Sequence, residues 1–418
     1  MSQARKPAAP TLPRTSLTRR NFMAGAGAAV ASFAVIKPGL VRGTAANSTI
    51  NLGMIGCGGR GTWIAKLFKA HGGYNVAAAF DYFQDRVDDL GNQVGVPQAN
   101  RFTGLSGYRK VLDKVDAVAI ISPPYFHPEQ AAAGVEAGKH VYLAKPIAVD
   151  VPGCLSIGDS GKKASARKQV FLVDFQTRVD PFYMEALRRV HEEKALGEFT
   201  FGEATYHAGD PFTGKYEFWN DREASAENRL RAWGLDNVLS GDIITEQNIH
   251  TLDVMNWIMG VPPLWAAGTG ARKVRPVGTC NDTFSAVFQY PNNVGITFSS
   301  RQIEGFDSKP DGIRNRMFGS EGVLETEYGG QVIIRGKHFY RGGSSPQIYQ
   351  EGAVANIKIF HDSVTGGQFD NLTVAPSVRS NLITILGRTA AYQRRMVTWD
   401  ELLQKNEKLD ARLKGVQA

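Results

Sequence analysis

The sequence predicts an α/β chain in two parts, a doubly wound domain on a parallel sheet and a second domain built on a larger sheet of half-buried strands. Three observations carry that prediction. The apolar run T-I-N-L-G-M-I stops at a glycine cluster and gives way to a helical pattern with Ile64, Leu67 and Phe68 on one face. Strand-like and helix-like segments then alternate as far as Phe175. Beyond it, a two-residue alternation takes over in F-T-F-G-E-A-T-Y-H, D-T-F-S-A-V-F-Q-Y and V-G-I-T-F-S-S.

A segment of another kind precedes the first strand. Of 418 residues, 43% are hydrophobic, which excludes disorder as a description of the whole. The formal charge of +8 is concentrated in residues 1–46, which hold seven Lys and Arg and no acid. Removing those seven from the 48 basic residues leaves 41, against 40 acidic ones, so the folded part has no charge excess for nucleic acid. The leader reads S-L-T-R-R-N-F-M, then an apolar run from Phe22 to Ile36, then small residues near Gly43 to Ala46. Fifteen residues, many of them Ala or Gly, fall short of the about 20 needed to span a membrane, so no stable membrane anchor is expected. Arg19 and Arg20 resemble the twin-arginine signal of bacteria. That resemblance implies a partner in the twin-arginine export machinery, a periplasmic or otherwise exported location, and a cofactor inserted before export. Cys57, Cys154 and Cys280 have no C-x-x-C spacing, so neither a disulfide framework nor a thiolate zinc site is indicated.

Residues 47–175 form the first expected domain. Gly56, Gly58 and Gly61 fit G-x-G-x-x-G, with Gly59 and Arg60 inside the turn. In that pattern the first glycine permits the tight turn, the second lets backbone approach a pyrophosphate, and the third lets helix and strand pack closely. A second apolar run, N-V-A-A-A-F, ends at Asp81, twenty residues after Gly61, where a carboxylate accepts both ribose hydroxyls of an adenosine. The pattern is that of a Rossmann dinucleotide-binding domain, and the carboxylate favours NAD over NADP, with Arg60 partly offsetting its charge. Next come the strand D-A-V-A-I-I-S, a helix from about Pro128 to Ala137 and the strand H-V-Y-L. Functional residues collect at strand carboxyl ends in such a sheet. There stand S-P-P-Y-F-H, with Ser122, Pro123 and His127, and A-K-P, with Lys145.

Residues 176–418 form the second expected domain, opening with a helix from Pro181 to Lys194. Thr213 to Leu239 is polar, aromatic and aperiodic, as a long loop would be. Its Tyr216, Phe218, Trp219, Arg231 and Trp233 suit a sugar, or equally an aromatic loop tucked onto the core or into a subunit interface. The stretch G-D-I-I-T-E-Q-N-I-H-T-L-D-V-M-N-W reads as one helix with Glu246, His250 and Asp253 on one face. A carboxylate one turn from a histidine orients the ring and raises its basicity. One helix supplies one histidine and no third ligand, so no metal is expected.

The Gly-rich turn, P-x-x-x-H followed by A-G-K-H-V-Y-L-x-K-P, then F-Q-T-R-V-D-P-F-Y and G-x-x-x-x-E-x-N-x-H-x-x-D, resemble the Gfo/Idh/MocA oxidoreductase family. The resemblance runs to R-M-V-T-W-D-E-L-L. It implies an N-terminal NAD(P)-binding domain and a C-terminal α/β domain whose large open, mainly antiparallel sheet serves substrate binding and oligomerisation, as a homodimer or homotetramer. It adds Gln176 to the nucleotide contacts and Arg178 and Asp253 to the substrate contacts. It places Lys145 and His250 around one substrate hydroxyl, with Glu246 orienting His250. Exported members of the glucose-fructose oxidoreductase type keep their nucleotide bound. Ala144 stands where the family has glutamate, Pro124 where asparagine is common, and Glu246 and Asn248 where it has aspartate and glycine. Three readings follow: an NAD-dependent oxidoreductase of a sugar, glycoside or polyol; a redox-assisted glycoside hydrolase or lyase; and a non-catalytic carbohydrate- or nucleotide-binding protein.

Overall fold

A computed structural model describes residues 49–219, 224–309 and 311–417, so the expected export signal lies outside the described residues. β1 (Ile50–Ile55) is buried on both faces, as a central parallel strand between helices must be. It feeds α1 (Gly59–His71), which ends on Gly72 in the left-handed region. The alternation continues through β2 (Tyr74–Phe80), α2 (Gln84–Val94), β3 (Arg101–Phe102), α3 (Tyr108–Leu112), β4 (Ala117–Ile120), α4 (His127–Glu136), β5 (His140–Ala144), α5 (Val151–Ala166) and β6 (Phe171–Asp174). All six strands are parallel, in the order β3-β2-β1-β4-β5-β6. Strand order reverses between β1 and β4, which opens a crevice at their carboxyl ends.

The second half begins with α6 (Pro181–His191), capped by Asp180, whose carboxylate accepts from the amides of Phe182 and Tyr183, both at 3.0 Å. β7 (Phe199–Ala208) leads to α7 (Ala226–Arg231), α8 (Ile243–Glu246) and α9 (Ile249–Met259). Then come β8 (Trp265–Ala271), β9 (Thr283–Gln289), β10 (Gly295–Gln302), β11 (Gly312–Gly319), β12 (Gly322–Glu327), β13 (Gln331–Gly336) and β14 (Tyr340–Ser344). α10 (Ile348–Gly366), α11 (Val374–Gln393), β15 (Val397–Thr398) and α12 (Trp399–Lys405) complete the described elements. The second sheet has nine strands in the order β14-β13-β12-β11-β7-β10-β9-β8-β15. Among the described residues of this second sheet only β7 and β10 pair in parallel, so the expected mainly antiparallel sheet is present.

The stretch expected as an aperiodic loop at 213–239 instead holds α7 between short 3₁₀ turns at Thr213–Trp219 and Trp233–Leu235. Ser225 caps α7, and Trp219, Ala232 and Leu235 bury together beneath it. α10 and α11 return to the first half. Ala353, Ile357 and Phe360 share a core with Ile64, Phe68 and Tyr142. Between the two helices, the Asn371 side chain accepts from the Phe171 amide at 2.6 Å and Thr373 from the Val173 amide at 3.0 Å, which satisfies the free edge of β6. From Thr49 onward the chain is one compact unit. Among the described residues no helix is long and apolar enough to cross a membrane.

Candidate active site

The crevice is lined first by the turn between β1 and α1. Gly56 has φ +96°, and a Cβ there would lie 2.6 Å from the Ser122 nitrogen; one on Gly61 would lie 2.0 Å from the Gly56 oxygen. Glycine is therefore required at both, for the turn and for the close approach of helix to strand. A Cβ on Gly59, at the start of α1, would meet nothing within 4 Å, and Gly58 and Gly59 line a cavity, so this helix end is open, as a phosphate site at a helix N-terminus requires. Asp81 closes the turn. It is 7% exposed, and its carboxylate accepts from the amides of Cys57 at 2.8 Å and Phe83 at 3.1 Å. Burial raises its pKa, against those hydrogen bonds and the nearby Arg86 charge. Ser122 and Pro123 share a cavity with Asp81 and Gly56. A larger cavity of about 520 Å³ opens on Gly58 and Gly59 and carries Lys66, Arg86, Lys215 and Arg231. A glycine cradle, a helix end, basic groups and an acidic ribose acceptor together fit a dinucleotide.

Several expected nucleotide contacts are otherwise engaged. Arg60 donates to Asp174 at 2.6 Å and to the Tyr349 hydroxyl at 2.7 Å, because its side chain lies against β6 and α10 rather than beside Asp81. The cation that offsets Asp81 is Arg86, five residues on, a signal the sequence carried. Both ring nitrogens of His127 face backbone carbonyls, Pro146 at 2.8 Å and Ser122 at 2.7 Å, so His127 ties the ends of β4 and β5 together and both nitrogens are engaged within the protein. Gln176 is fully buried, donating to Asp174 at 3.1 Å and facing the Tyr328 hydroxyl at 3.5 Å.

Lys145, the residue after β5, is 9% exposed, and its amine donates to the Glu246 carbonyl at 2.9 Å with the Glu246 carboxylate at 3.8 Å. Burial lowers the Lys145 pKa; Glu246 works against that shift and Arg60 adds to it. His250 is 8% exposed, its buried Nδ1 has no hydrogen-bond partner, and its ring lies 5.1 Å from that of Tyr328. Burial, then the charges of Lys145 and Arg60, hold the imidazole well below its ordinary pKa, so it is neutral near pH 7. The chemistry available is thus a buried lysine, at the carboxyl end of β5, and a neutral imidazole that feels its charge.

Glu246 and His250 do not share a helix turn. α8 ends at Glu246 and α9 begins at Ile249, with Asn248 buried between them, so the Glu246 carboxylate turns to Lys145 and accepts from the Gln247 side-chain Nε2 at 2.5 Å. Glu246 therefore positions Lys145, and the expected orientation of His250 by Glu246 is corrected. Tyr206 extends this network, donating to Gln247 at 2.6 Å. Nothing in the sequence pointed to Tyr206, Tyr328 or Tyr349, which the sheet and α10 bring in from far along the chain.

The expected substrate residues are also corrected. Arg178 and Asp253 form a two-pronged ion pair, at 2.9 and 2.8 Å, and Ser380 donates to the same carboxylate at 2.6 Å. With Asp253 fully buried, the pair braces α9 rather than meeting substrate. Arg231 pairs with Asp85 at 2.8 Å and lies over the Phe83 ring, so it belongs to the nucleotide side, as does Trp233 in the larger cavity. Trp219 is 7% exposed within a small apolar cluster, the core role for an aromatic loop. Among the described residues no three His, Cys, Asp or Glu gather as a metal site.

Two family models match the chain. One, described as oxidoreductase family, NAD-binding Rossmann fold, covers residues 50–172; the other, described as GFO/IDH/MocA C-terminal domain, covers residues 184–325. The chain is 24% identical over 233 residues to glycosyl hydrolase family 109 protein 2 of Bacteroides fragilis (strain YCH46), 53% of each chain. It spans about half the length of that relative. It is 23% identical over 287 residues to inositol 2-dehydrogenase of Rhizobium meliloti (strain 1021), 67% of this chain and 76% of that one. A solved scyllo-inositol dehydrogenase from Lactobacillus casei, with bound cofactor NAD(H) and scyllo-inositol, has a TM-score of 0.65 at 20% identity, over 84% of this chain and 99% of that one. That likeness is one of fold.

Proposed function

The chain belongs to the Gfo/Idh/MocA oxidoreductase family, with an NAD-binding Rossmann fold, and from that premise we propose an exported, periplasmic enzyme that oxidises a sugar, glycoside or polyol with tightly held NAD. The observation that carries the reading is the buried Lys145 amine, fixed by the Glu246 carbonyl beside a neutral His250 at the crevice. Gly56, Gly58, Gly61 and Asp81 hold the dinucleotide, which supplies the hydride acceptor when bound. Lys145, its pKa lowered by burial, takes the proton of the substrate hydroxyl as the C–H bond is broken. When deprotonated, the Lys145 amine gives one N–H to the Glu246 carbonyl, which leaves its lone pair for the substrate. His250 shares that hydroxyl through its ring, whose buried Nδ1 makes no hydrogen bond within the protein.

Assay of the nucleotide released on denaturing the purified protein tests retention, with about one NAD(H) per chain expected. Lys145→Met is expected to abolish turnover while NAD still binds; unchanged turnover would sink the role given to Lys145. A second reading is favoured by the similarity to a glycosyl hydrolase family 109 protein: transient oxidation of the sugar, cleavage or elimination of a glycosidic bond, and reduction again. Release of p-nitrophenol from nitrophenyl glycosides without net NADH separates it from the first.

A further inference from the structure

Residues 406–417 adopt neither helix nor strand, yet part of their sequence has a strict period. In L-D-A-R-L-K, from Leu409 to Lys414, apolar and charged residues alternate; Ala411 is buried and Leu409 and Leu413 half-buried, while Asp410, Arg412 and Lys414 face solvent. That is the pattern of a segment laid with one side on an apolar surface, and it turns at Arg412, where φ is +48°. The surface belongs to the first half of the chain. The Leu409 amide donates to Asp150 at 2.9 Å, the Ala411 amide to the Tyr125 hydroxyl at 3.4 Å and the Gln417 amide to the Tyr82 hydroxyl at 3.1 Å, while the Gln417 carbonyl accepts from the Leu105 amide at 3.1 Å. Asp150 also caps α5, so one carboxylate fixes both a helix end and the returning segment.

Between these anchors Ala411, Leu413 and Val416 pack into one cluster with Phe83, Leu230, Tyr82, Leu105 and Phe126. The latter five residues are walls of the cavity around Asp81. From the other side Tyr82 donates to Glu227 of α7 at 2.8 Å, so two separate segments of the second half converge on the same rim.

We propose that residues 406–417 are a strap that retains the nucleotide, bracing the walls of the adenosine cavity so that its adenosine half leaves only when the strap lifts. The inference rests on the reading that a dinucleotide lies along the Gly-rich turn. Because the strap bonds to the cavity walls, its work is to slow exchange, which keeps one nucleotide in place through successive turnovers.

The test loads the full-length protein with NAD and follows its release into an excess of labelled NAD. It compares a chain ending at Asn406 and the double variant Leu413→Ser/Val416→Ser. Dissociation about tenfold faster or more is expected in both, the usual direction in which lost contacts act on a complex. Circular dichroism and the melting temperature in saturating NAD establish that the double variant is folded. A folded double variant that releases NAD at the full-length rate overturns the strap. Full-length protein that takes up no NAD overturns the nucleotide reading itself, and the strap with it.

Discussion

Lys145 loses its proton more readily than a free lysine because burial outweighs the pull of Glu246, with Arg60 adding to the effect. The amine form is the reactive one, so turnover rises with pH through the lowered pKa and falls on its acid side. Removing the Arg60 charge takes away one cause of the lowering. Arg60→Gln is therefore expected to move the acid limb of kcat to higher pH, whereas Lys145→Met removes that limb, because the group that titrates is gone, and lowers kcat most above it, by about 10²- to 10⁴-fold, the range for a lost acid-base group. A limb that stays in place in Arg60→Gln would separate the guanidinium from the electrostatics of Lys145. The buried histidines set a second pH dependence. Burial lowers His127 to about 4 and His250 well below its ordinary 6.5, so the unfolded chain takes up these protons first. Their contribution to stability is complete above about 6.5 and is lost as pH falls from there, toward about 4 for His127. Urea midpoints at pH 7.5 and 5.5 check this, and His250→Gln is expected to narrow the difference.

At the scale of elements, α9 presents His250 on one face and is anchored through Asp253, buried against Arg178 and Ser380. Breaking a buried ion pair by removing one partner costs about 3–5 kcal/mol, because the other charge is left without compensation. Arg178→Met is expected to destabilise by that order in urea and to lower kcat more than it alters KM, since it loosens the helix that carries His250. Equal stability with normal kcat would remove the bracing role. The elements of the first half were legible because each is locally encoded: an apolar run, a turn that only glycine allows, a helix with one apolar face. The break between α8 and α9 was not, because Glu246, Gln247 and Asn248 keep the helical spacing while the chain turns between them. Spacing put Glu246 one turn from His250, and the turn aimed it at Lys145. Likewise the aromatic residues of 213–239 have the composition of a sugar-binding loop, and only packing shows Trp219 in a core and Arg231 on Asp85.

For the whole molecule, the division at residue 175 is a change of sheet, while the core crosses it. Ile357 and Phe360 come from the far end of the chain and pack with Ile64 and Phe68 beneath the first sheet, and Asn371 and Thr373 satisfy the outer edge of β6. No local period reveals such a return, which is why α10 and α11 were the part of the fold least readable from sequence. It also means that the first sheet lacks one of its covers until the chain is nearly complete. Phe360→Ala, made within α10, is then expected to cost about 3–5 kcal/mol, as for other large core truncations, although Phe360 touches neither nucleotide nor substrate. Because the lost packing is shared by both halves, the full chain should unfold in one calorimetric transition, lowered as a unit by Phe360→Ala. NAD, which binds the first half only when folded, should raise that same transition, by about 2.7 kcal/mol at a hundred times its Kd. Two transitions, with only the first responding to NAD, would show instead that the halves fold independently and that α10 merely rests on the first sheet.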